Sequence, residues 1–188
     1  MQQPYPDPSP ETVLVYQDEV VTLAEILRPM RQTKTAAVTA WQSLFEQHPD
    51  RTIFASLPGA GQVLAPALLA KFGDDRARFA TVASVQALAG TCPVTDRRGK
   101  RKVIKFRKGC DRQFRWIVQQ WAFNSRQKSI WANAYWHQIR PRCQSDNHAY
   151  RCLGNRWLAI AWKLWQTNQT YDETYHLKQR AQRSKPRL

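Results

Sequence analysis

The chain has 188 residues, 43% of them hydrophobic, and a formal net charge of +15 at pH 7. This length and composition favour a folded domain with at most one accessory segment over a disordered chain. No run of 18 apolar residues occurs, so no transmembrane helix is predicted. Because the polar, acidic start does not resemble a signal peptide, we expect a cytoplasmic protein.

The positive charge is concentrated after residue 50. Residues 1–50 hold three Lys/Arg and seven Asp/Glu, whereas residues 51–188 hold 26 basic and seven acidic residues. A surface this positive repels itself unless an anion neutralises it. We therefore predict a nucleic-acid partner. An anionic membrane is the weaker alternative, because no clean basic amphipathic helix is evident.

The predicted elements at the start of the chain are a flexible end and two helices. Residues 1–10 contain four prolines and are expected to be disordered. Apolar spacing predicts helices at 11–27 and 33–48, with Pro29 ending or kinking the first. Together they form a connector, 11–48, that could pair with another chain as a coiled coil.

Residues 49–168 carry the predicted core, and residues 169–188 are expected to form a basic tail. Helices are predicted in the stretch 51–90, with one sharp turn, and at 111–128, 130–140 and 147–167. The alternation of charged and apolar residues at 102–106 predicts a short strand or hairpin arm. We expect its apolar residues, Val103, Ile104 and Phe106, to anchor it to the core.

Helical spacing predicts that most of the eight tryptophans pack in the core. Trp116 and Trp162 lie off the apolar stripes and are candidates for the surface. The predicted fold class is therefore all-α: a helical domain with a possible small β-hairpin in a basic arm.

The most specific local pattern is a short helix, the turn Leu-Pro-Gly-Ala-Gly and a second helix that ends at Gly73. This arrangement resembles a helix-hairpin-helix motif; the alternative is a plain turn between packed helices. Its glycines permit backbone conformations that other residues avoid, and the free N–H groups at the start of the second helix attract anions. The residues predicted to contact phosphate here are Gly59, Ala60, Gly61 and Gln62.

Ten of the 19 residues from 97 to 115 are basic, and Asp111 is the only acidic one. Each phosphate that such an arm neutralises releases counterions, which makes binding steeply salt-dependent. A solvated loop is the alternative, but this density of cations favours nucleic acid. The residues predicted to contact the phosphate backbone are Arg97, Arg98, Lys100, Arg101, Lys102, Lys105, Arg107, Lys108 and Arg112.

The four cysteines, Cys92, Cys110, Cys143 and Cys152, form none of the C-x-x-C pairs that fix zinc in fingers and ribbons. His148 lies between the last two cysteines, so a metal site is conceivable there. We nevertheless predict reduced thiols without a bound metal, and no other cofactor.

The strings around the turn and the arm resemble a known family. They cover residues 57–79 and 84–90, and continue with Pro93-Val94-Thr95, Gly99-Lys100 and Asn155-Arg156-Trp157-Leu158. Their combination resembles the C-terminal transposase domain of DEDD-type insertion-sequence transposases, which are related to Piv-type DNA invertases. The resemblance covers residues 45–168.

The resemblance implies a recombinase guided by a structured RNA, with a resolvase-type nuclease domain, a coiled-coil connector and this C-terminal domain. It also implies a nucleophilic serine just before a glycine. This chain departs from the pattern twice: residues 1–50 resemble only the end of the connector, without the acidic metal ligands, and Arg98 occupies the serine position. Because arginine cannot act as that nucleophile, we expect a DNA-binding part that is truncated and inactive alone.

Two alternatives stay open. The chain could be a subunit of an active recombinase that joins a nuclease-bearing partner, as a homo-oligomer or with a related transposase, through residues 11–48. It could also be a non-catalytic regulator that binds DNA or RNA. A metal-dependent nuclease in its own right would lack its ligands.

Overall fold

The structure is a computed structural model that describes residues 9–99 and 101–183, so the disorder predicted for residues 1–8 lies outside it. The helices are α1 (Pro10–Glu46), α2 (Arg51–Ala55), α3 (Gly61–Phe72), α4 (Val82–Leu88), α5 (Arg112–Lys128), α6 (Ile130–Ile139), α7 (Asp146–Thr167) and α8 (Glu173–Arg183), and the strands are β1 (Val94–Arg98) and β2 (Arg101–Lys105). Two 3-10 helices, Arg76–Phe79 and Arg140–Arg142, complete the described elements. The prediction of an all-α fold with a small hairpin is confirmed. None of these helices is both long and apolar enough to cross a bilayer.

The chain divides into two units, the first ending at Ser43 and the second beginning at Leu44. The prediction of two helices separated at Pro29 is wrong, because α1 continues through Pro29 as one helix of 37 residues. An internal proline removes one backbone donor and crowds the carbonyl four residues before it, yet α1 does not end there. The turn that follows gains a hydrogen bond of 3.0 Å from Thr33 Oγ1 to the Pro29 carbonyl.

In the second unit, α5 and α7 form the centre of the core. Both helices match their predicted ranges to within one residue. Gly154 lets the two helices approach closely, since a Cβ there would lie 2.6 Å from Val118 Cγ1. As predicted, most tryptophans are core residues: Trp121, Trp131, Trp136, Trp157 and Trp165 are all buried. Trp116 is exposed, also as predicted, whereas Trp162 is half-buried.

A partly buried ion pair joins the segment before α2 to the 3-10 helix Arg76–Phe79. Asp50 accepts hydrogen bonds from both terminal nitrogens of Arg76, at 2.5 and 2.6 Å, and from Trp165 Nε1 at 3.2 Å. The hydrogen bonds from Arg76 hold the pKa of Asp50 below its usual range, against the opposing effect of burial. The pair therefore fixes the segment that leads into α2.

The C-terminal region contains a helix, α8, where a basic tail was predicted; residues 184–188 lie outside the described part. Its first residue, Glu173, accepts hydrogen bonds from Ser129 Oγ at 2.9 Å and from the Tyr171 hydroxyl at 2.6 Å. Burial, followed by the hydrogen bond to Glu173, raises the pKa of Tyr171. The tail was predicted from the basic and polar composition of this segment, which does not exclude a helix.

Candidate nucleic-acid interface

The basic arm is a two-stranded antiparallel hairpin. β1 and β2 pair over five positions, ending with Arg98 opposite Arg101 next to the turn. The strand predicted at 102–106 is confirmed with a shift of one residue, and β1 is its partner. Gly99 begins the turn with a φ of +56°, a conformation that favours glycine. Lys100, a predicted contact residue, lies outside the described residues.

Two pairs of cations face each other across the hairpin next to its turn. Arg97 lies opposite Lys102, and Arg98 lies opposite Arg101. Like charges that are directly opposed destabilise a sheet. The one carboxylate on the strands, that of Asp96, is 4.0 Å from Arg98, and within the described residues no ion pair involves the other three cations. These four cations form the tip of the arm, and an external anion would stabilise it.

The two faces of the hairpin differ in exposure. Asp96 and Val103, which are paired, are half-buried on one face. Arg97, Lys102 and Ile104 lie on the other face, because alternate residues of a strand point to opposite sides. Ile104 is 67% exposed, so the expectation that it anchors the strand to the core is wrong. Its side chain instead extends the exposed face that carries two of the cations.

Phe106 attaches the end of the arm to two helices. The guanidinium carbons of Arg115 on α5 and Arg151 on α7 lie 4.5 and 4.7 Å from the centre of its ring. Such cation–π contacts contribute on the order of 0.5–1 kcal/mol each at partly exposed sites. Arg115 also donates a hydrogen bond to the carbonyl of Arg107. The arm is thus fixed where it enters the helical core.

Hydrogen bonds connect both ends of the arm to α4 and α7. The Asp111 N–H donates to the Leu88 carbonyl at 2.9 Å. On α7, the side-chain oxygen of Asn155 accepts a hydrogen bond from Thr91 Oγ1 at 2.8 Å. The backbone carbonyl of Asn155 accepts a second one from Gln86 Nε2, on α4, at 2.9 Å. Sequence reasoning missed these positioning roles, although Gln86 and Asn155 lie in strings that carry the family resemblance.

The remaining predicted contact residues lie in β2 and at the base of the arm. Lys105 Nζ donates a hydrogen bond to the Asp96 carboxylate on β1 at 2.8 Å, and Arg107 Nε donates one to the Cys92 carbonyl at 3.4 Å. Lys108 and Arg112 are exposed. Arg107 thus positions the arm, while the exposed cations remain accessible to a ligand.

A capped helix start follows the arm. Asp111 accepts hydrogen bonds from Lys71 Nζ at 2.7 Å and from the Phe114 N–H at 2.9 Å. The hydrogen bond from Lys71, followed by that from Phe114, lowers the pKa of Asp111. The ionised carboxylate therefore joins the end of α3 to the start of α5.

The turn before α3 packs against α5. Gly59 has a φ of +77°, and a Cβ there would lie 2.5 Å from the backbone nitrogen of Ser125. Trp121 Nε1 donates to the Pro58 carbonyl at 3.0 Å, and Ala60 is buried. Gly59 and Ala60 therefore have packing roles, whatever part the turn plays in binding.

Gly61 and Gln62, at the start of α3, are exposed, and nothing lies within 4 Å of a Cβ built on Gly61. They are distant from the arm. Gly59 contacts α5 at Ser125, whereas the arm enters α5 at Asp111, 14 residues earlier. At 1.5 Å per residue this separation is about 21 Å. The structure therefore places the start of α3 and the base of the arm at opposite ends of α5.

Comparison with known proteins relates the sequence of this region to a family. Residues 51–137 match the sequence model of the IS116/IS110/IS902 transposase family. The chain is also 32% identical, over 154 residues, to a protein of Streptomyces coelicolor named as the mini-circle transposase for IS117. This chain carries a transposase domain of the IS116/IS110/IS902 family. The similarity covers 80% of this chain but 37% of the length of the Streptomyces protein.

The match to the transposase family includes the turn before α3 and the whole arm. Arg98, at the position where the resemblance implies a serine, lies at the end of β1 with its side chain 90% exposed. A guanidinium stays protonated and is not a nucleophile. No serine occurs between Gln86 and Asn124 that could replace it in this part of the transposase domain.

Proposed function

We propose that this chain is the DNA-binding part of an insertion-sequence transposase and that the tip of its arm contacts the phosphate backbone. The main support is the pair of facing cations Arg97 and Lys102, together with Arg98 and Arg101, beside the turn. Phosphates placed between such pairs would remove their mutual repulsion and release counterions. The anchored Phe106 keeps the arm in place before DNA binds, which lowers the entropy cost of binding.

A second contact is proposed at the start of α3. Gly61 and Gln62 are exposed there, and the positive end of the helix dipole attracts phosphate oxygens. Because the start of α3 and the base of the arm lie at opposite ends of α5, the two contacts would engage separate phosphates of a duplex. Contacts of this kind fix the position of a duplex without reading its sequence.

We further propose that the chain alone binds DNA without cutting it. Arg98 cannot serve as a nucleophile. Among the described residues, the one group of three or more potential metal ligands within mutual reach consists of Cys143, His148 and Cys152. Metal-dependent phosphoryl transfer uses oxygen ligands, which this group lacks.

The double variant Arg97→Ala/Lys102→Ala tests the proposed arm contact. Each phosphate contact contributes about −0.9 to the slope of log affinity against log salt, so the slope should flatten by about 1.8. Fluorescence anisotropy with a labelled duplex across a sodium chloride series measures this slope. A structured RNA of equal length, titrated in parallel, tests the alternative of an RNA-binding regulator.

The matched control is Lys163→Ala/Lys178→Ala, which removes the same two charges from exposed positions on α7 and α8. Its salt slope should equal that of the unaltered chain. An equal flattening in both variants would mean that only net charge matters and would contradict the arm contact. Adding magnesium to the same samples should leave the DNA intact, and cleavage products would contradict the second proposal.

The apolar pattern of α1 favours a second candidate function, assembly with another chain. Apolar residues recur at alternating intervals of three and four, which is the pattern of a coiled-coil seam. The seam positions are Val13, Tyr16, Val20, Leu23, Leu27, Met30, Ala37, Trp41 and Leu44, with Lys34 at the remaining one. All of the large side chains among them are exposed in this chain. A second copy, or a chain that bears a nuclease domain, would cover them.

Replacing two seam residues by Leu23→Glu/Leu27→Glu should abolish self-association. Charged side chains at facing a and d positions would be buried without partners. Light scattering after size exclusion should change from about twice the chain mass of 21.9 kDa to that mass. Thr22→Glu/Gln32→Glu adds the same charges outside the seam and should leave the dimer intact. A monomeric unaltered chain would exclude self-assembly.

A further inference from the structure

Three potential metal ligands converge at the start of α7. Cys143 follows the 3-10 helix Arg140–Arg142, and His148 and Cys152 lie on the first turns of α7. The ligand atoms of the three side chains all lie within 4.8 Å of one another. All three residues are half-buried, so a bound ion would be partly shielded from solvent. Sequence spacing alone favoured plain thiols here because it shows no close pair of cysteines.

The backbone holds this arrangement through several hydrogen bonds. His148 and Cys152 are four residues apart, so they lie on the same face of the helix. The Cys143 N–H donates to the Arg140 carbonyl at 3.0 Å, and Arg140 Nη1 donates to the Cys143 carbonyl at 3.1 Å. Ser145 caps α7 by accepting from the His148 N–H at 3.2 Å. The cysteine on the connection is therefore held against the helix.

His148 supplies an independent sign of a missing partner. Its Nδ1 atom is buried and, among the described residues, has no hydrogen-bond partner. Buried polar atoms in folded proteins nearly always have a partner. The buried ring nitrogen therefore points to a partner that the described residues do not supply.

The two sulfurs lie within 4.8 Å of each other, so one ion could contact both. Binding of a divalent cation there would release the thiol protons to solvent. The two thiolates would then neutralise the charge of the ion.

We propose that Cys143, His148 and Cys152 form a zinc site with three protein ligands and one exchangeable position. Two thiolates and an imidazole are a ligand set that suits Zn²⁺. Donor atoms about 2.0–2.3 Å from a tetrahedral metal lie roughly 3.3–3.8 Å apart, so ligation requires an approach of about 1 Å, within reach of side-chain rotation. The ion would join the connection after α6 to the first turns of α7. This inference is independent of the proposed DNA binding.

The test uses the full chain, purified under reducing conditions without an affinity histidine tag and then freed of metal. Titration with Zn²⁺ should give one ion per chain and raise the melting temperature. Titration with Co²⁺ should give the visible ligand-field bands of a tetrahedral site and a thiolate-to-cobalt charge-transfer band. Cys143→Ser and His148→Gln should each lose high-affinity binding while keeping the helical circular-dichroism spectrum.

The matched controls are Cys92→Ser and Cys110→Ser, which remove half-buried thiols outside the cluster. Both should bind one zinc ion as the unaltered chain does. Zinc binding that persists in Cys143→Ser and His148→Gln would overturn the site, as would cobalt spectra without thiolate charge transfer. A reduced chain that binds no zinc would also overturn the site. Loss of two thiols on mild oxidation, seen in the unaltered chain but not in Cys143→Ser or Cys152→Ser, would identify these two cysteines as a disulfide pair.

Discussion

Gly59→Ala is expected to lower the free energy of unfolding by about 2–5 kcal/mol, whereas Gly61→Ala should cost about 1–2 kcal/mol. Both glycines have positive φ angles, +77° and +56°, so both alanines incur the same kind of backbone strain. Only at Gly59 would the new Cβ also collide with other atoms. It would lie 2.5 Å from the Ser125 nitrogen and 2.7 Å from the Asn124 carbonyl carbon.

The difference is large because the colliding atoms belong to the backbone of α5. A flexible side chain could rotate away, but backbone atoms within a helix move only if the helix shifts, and a closely packed interior resists such shifts. A Cβ on Gly61 meets nothing within 4 Å. Comparing Gly59→Ala with Gly61→Ala therefore separates the free-energy cost of a collision from the cost of a positive φ angle.

Urea unfolding followed by tryptophan fluorescence measures both variants, since Trp121 and Trp157 are fully buried and report on the core. Equal losses at the two positions would contradict the packing role of Gly59. For DNA binding, Gly61 is the informative position, because a Gly59 variant that fails to bind would also be a variant that folds poorly. A side chain at Gly61 changes the exposed start of α3 without altering the contact with α5.

Asp50→Asn is expected to destabilise the fold by about 3 kcal/mol. The carboxylate of Asp50 is 5% exposed and is the acceptor for two nitrogens of Arg76 and for Trp165 Nε1. Asparagine would leave a partly buried guanidinium without its anion. Because the Arg76 side chain is 33% exposed, water compensates some of the loss, which places the effect at the low end for buried pairs.

A double-mutant cycle with Arg76→Met separates the pair from its surroundings. Removing both charges should cost no more than Asp50→Asn alone, since the double variant leaves no unpaired charge behind. Guanidinium-chloride midpoints of the four proteins give the coupling energy. Simple additivity of the two single losses would contradict a direct interaction.

The same pair makes stability depend on acidity. Arg76 holds the pKa of Asp50 below its unfolded value of about 4, so the unfolded state binds the proton more readily. The contribution of the ion pair to the free energy of unfolding is complete above about pH 4 and is lost as the pH falls through the lowered pKa of Asp50 in the folded state. Unfolding midpoints at pH 7 and pH 3 should therefore differ less in Asp50→Asn than in the unaltered chain. Asp111, whose pKa is also lowered, accounts for part of the dependence that remains.

The helices of the second unit were predictable because their apolar residues follow the period of an α-helix over many turns. α5 and α7 carry such patterns, and their predicted ranges agree with the structure to within one residue. The density of cations between residues 97 and 115 likewise identified the arm without knowledge of the fold. Pro29 misled the prediction, since a local preference against helix was outweighed by the helical residues on both sides.

The sequence by itself determined the fold class, the family, the location of the positive charge and the segments that become helices, because these depend on composition and local periodicity. Only the tertiary structure decided what individual residues contact. It placed Gly59 against the backbone of α5, put the start of α3 and the base of the arm at opposite ends of that helix, and brought Cys143 to His148 and Cys152. These outcomes depend on contacts between residues that are distant in the chain or separated by a turn, and local patterns do not encode the angles and distances at which helices pack.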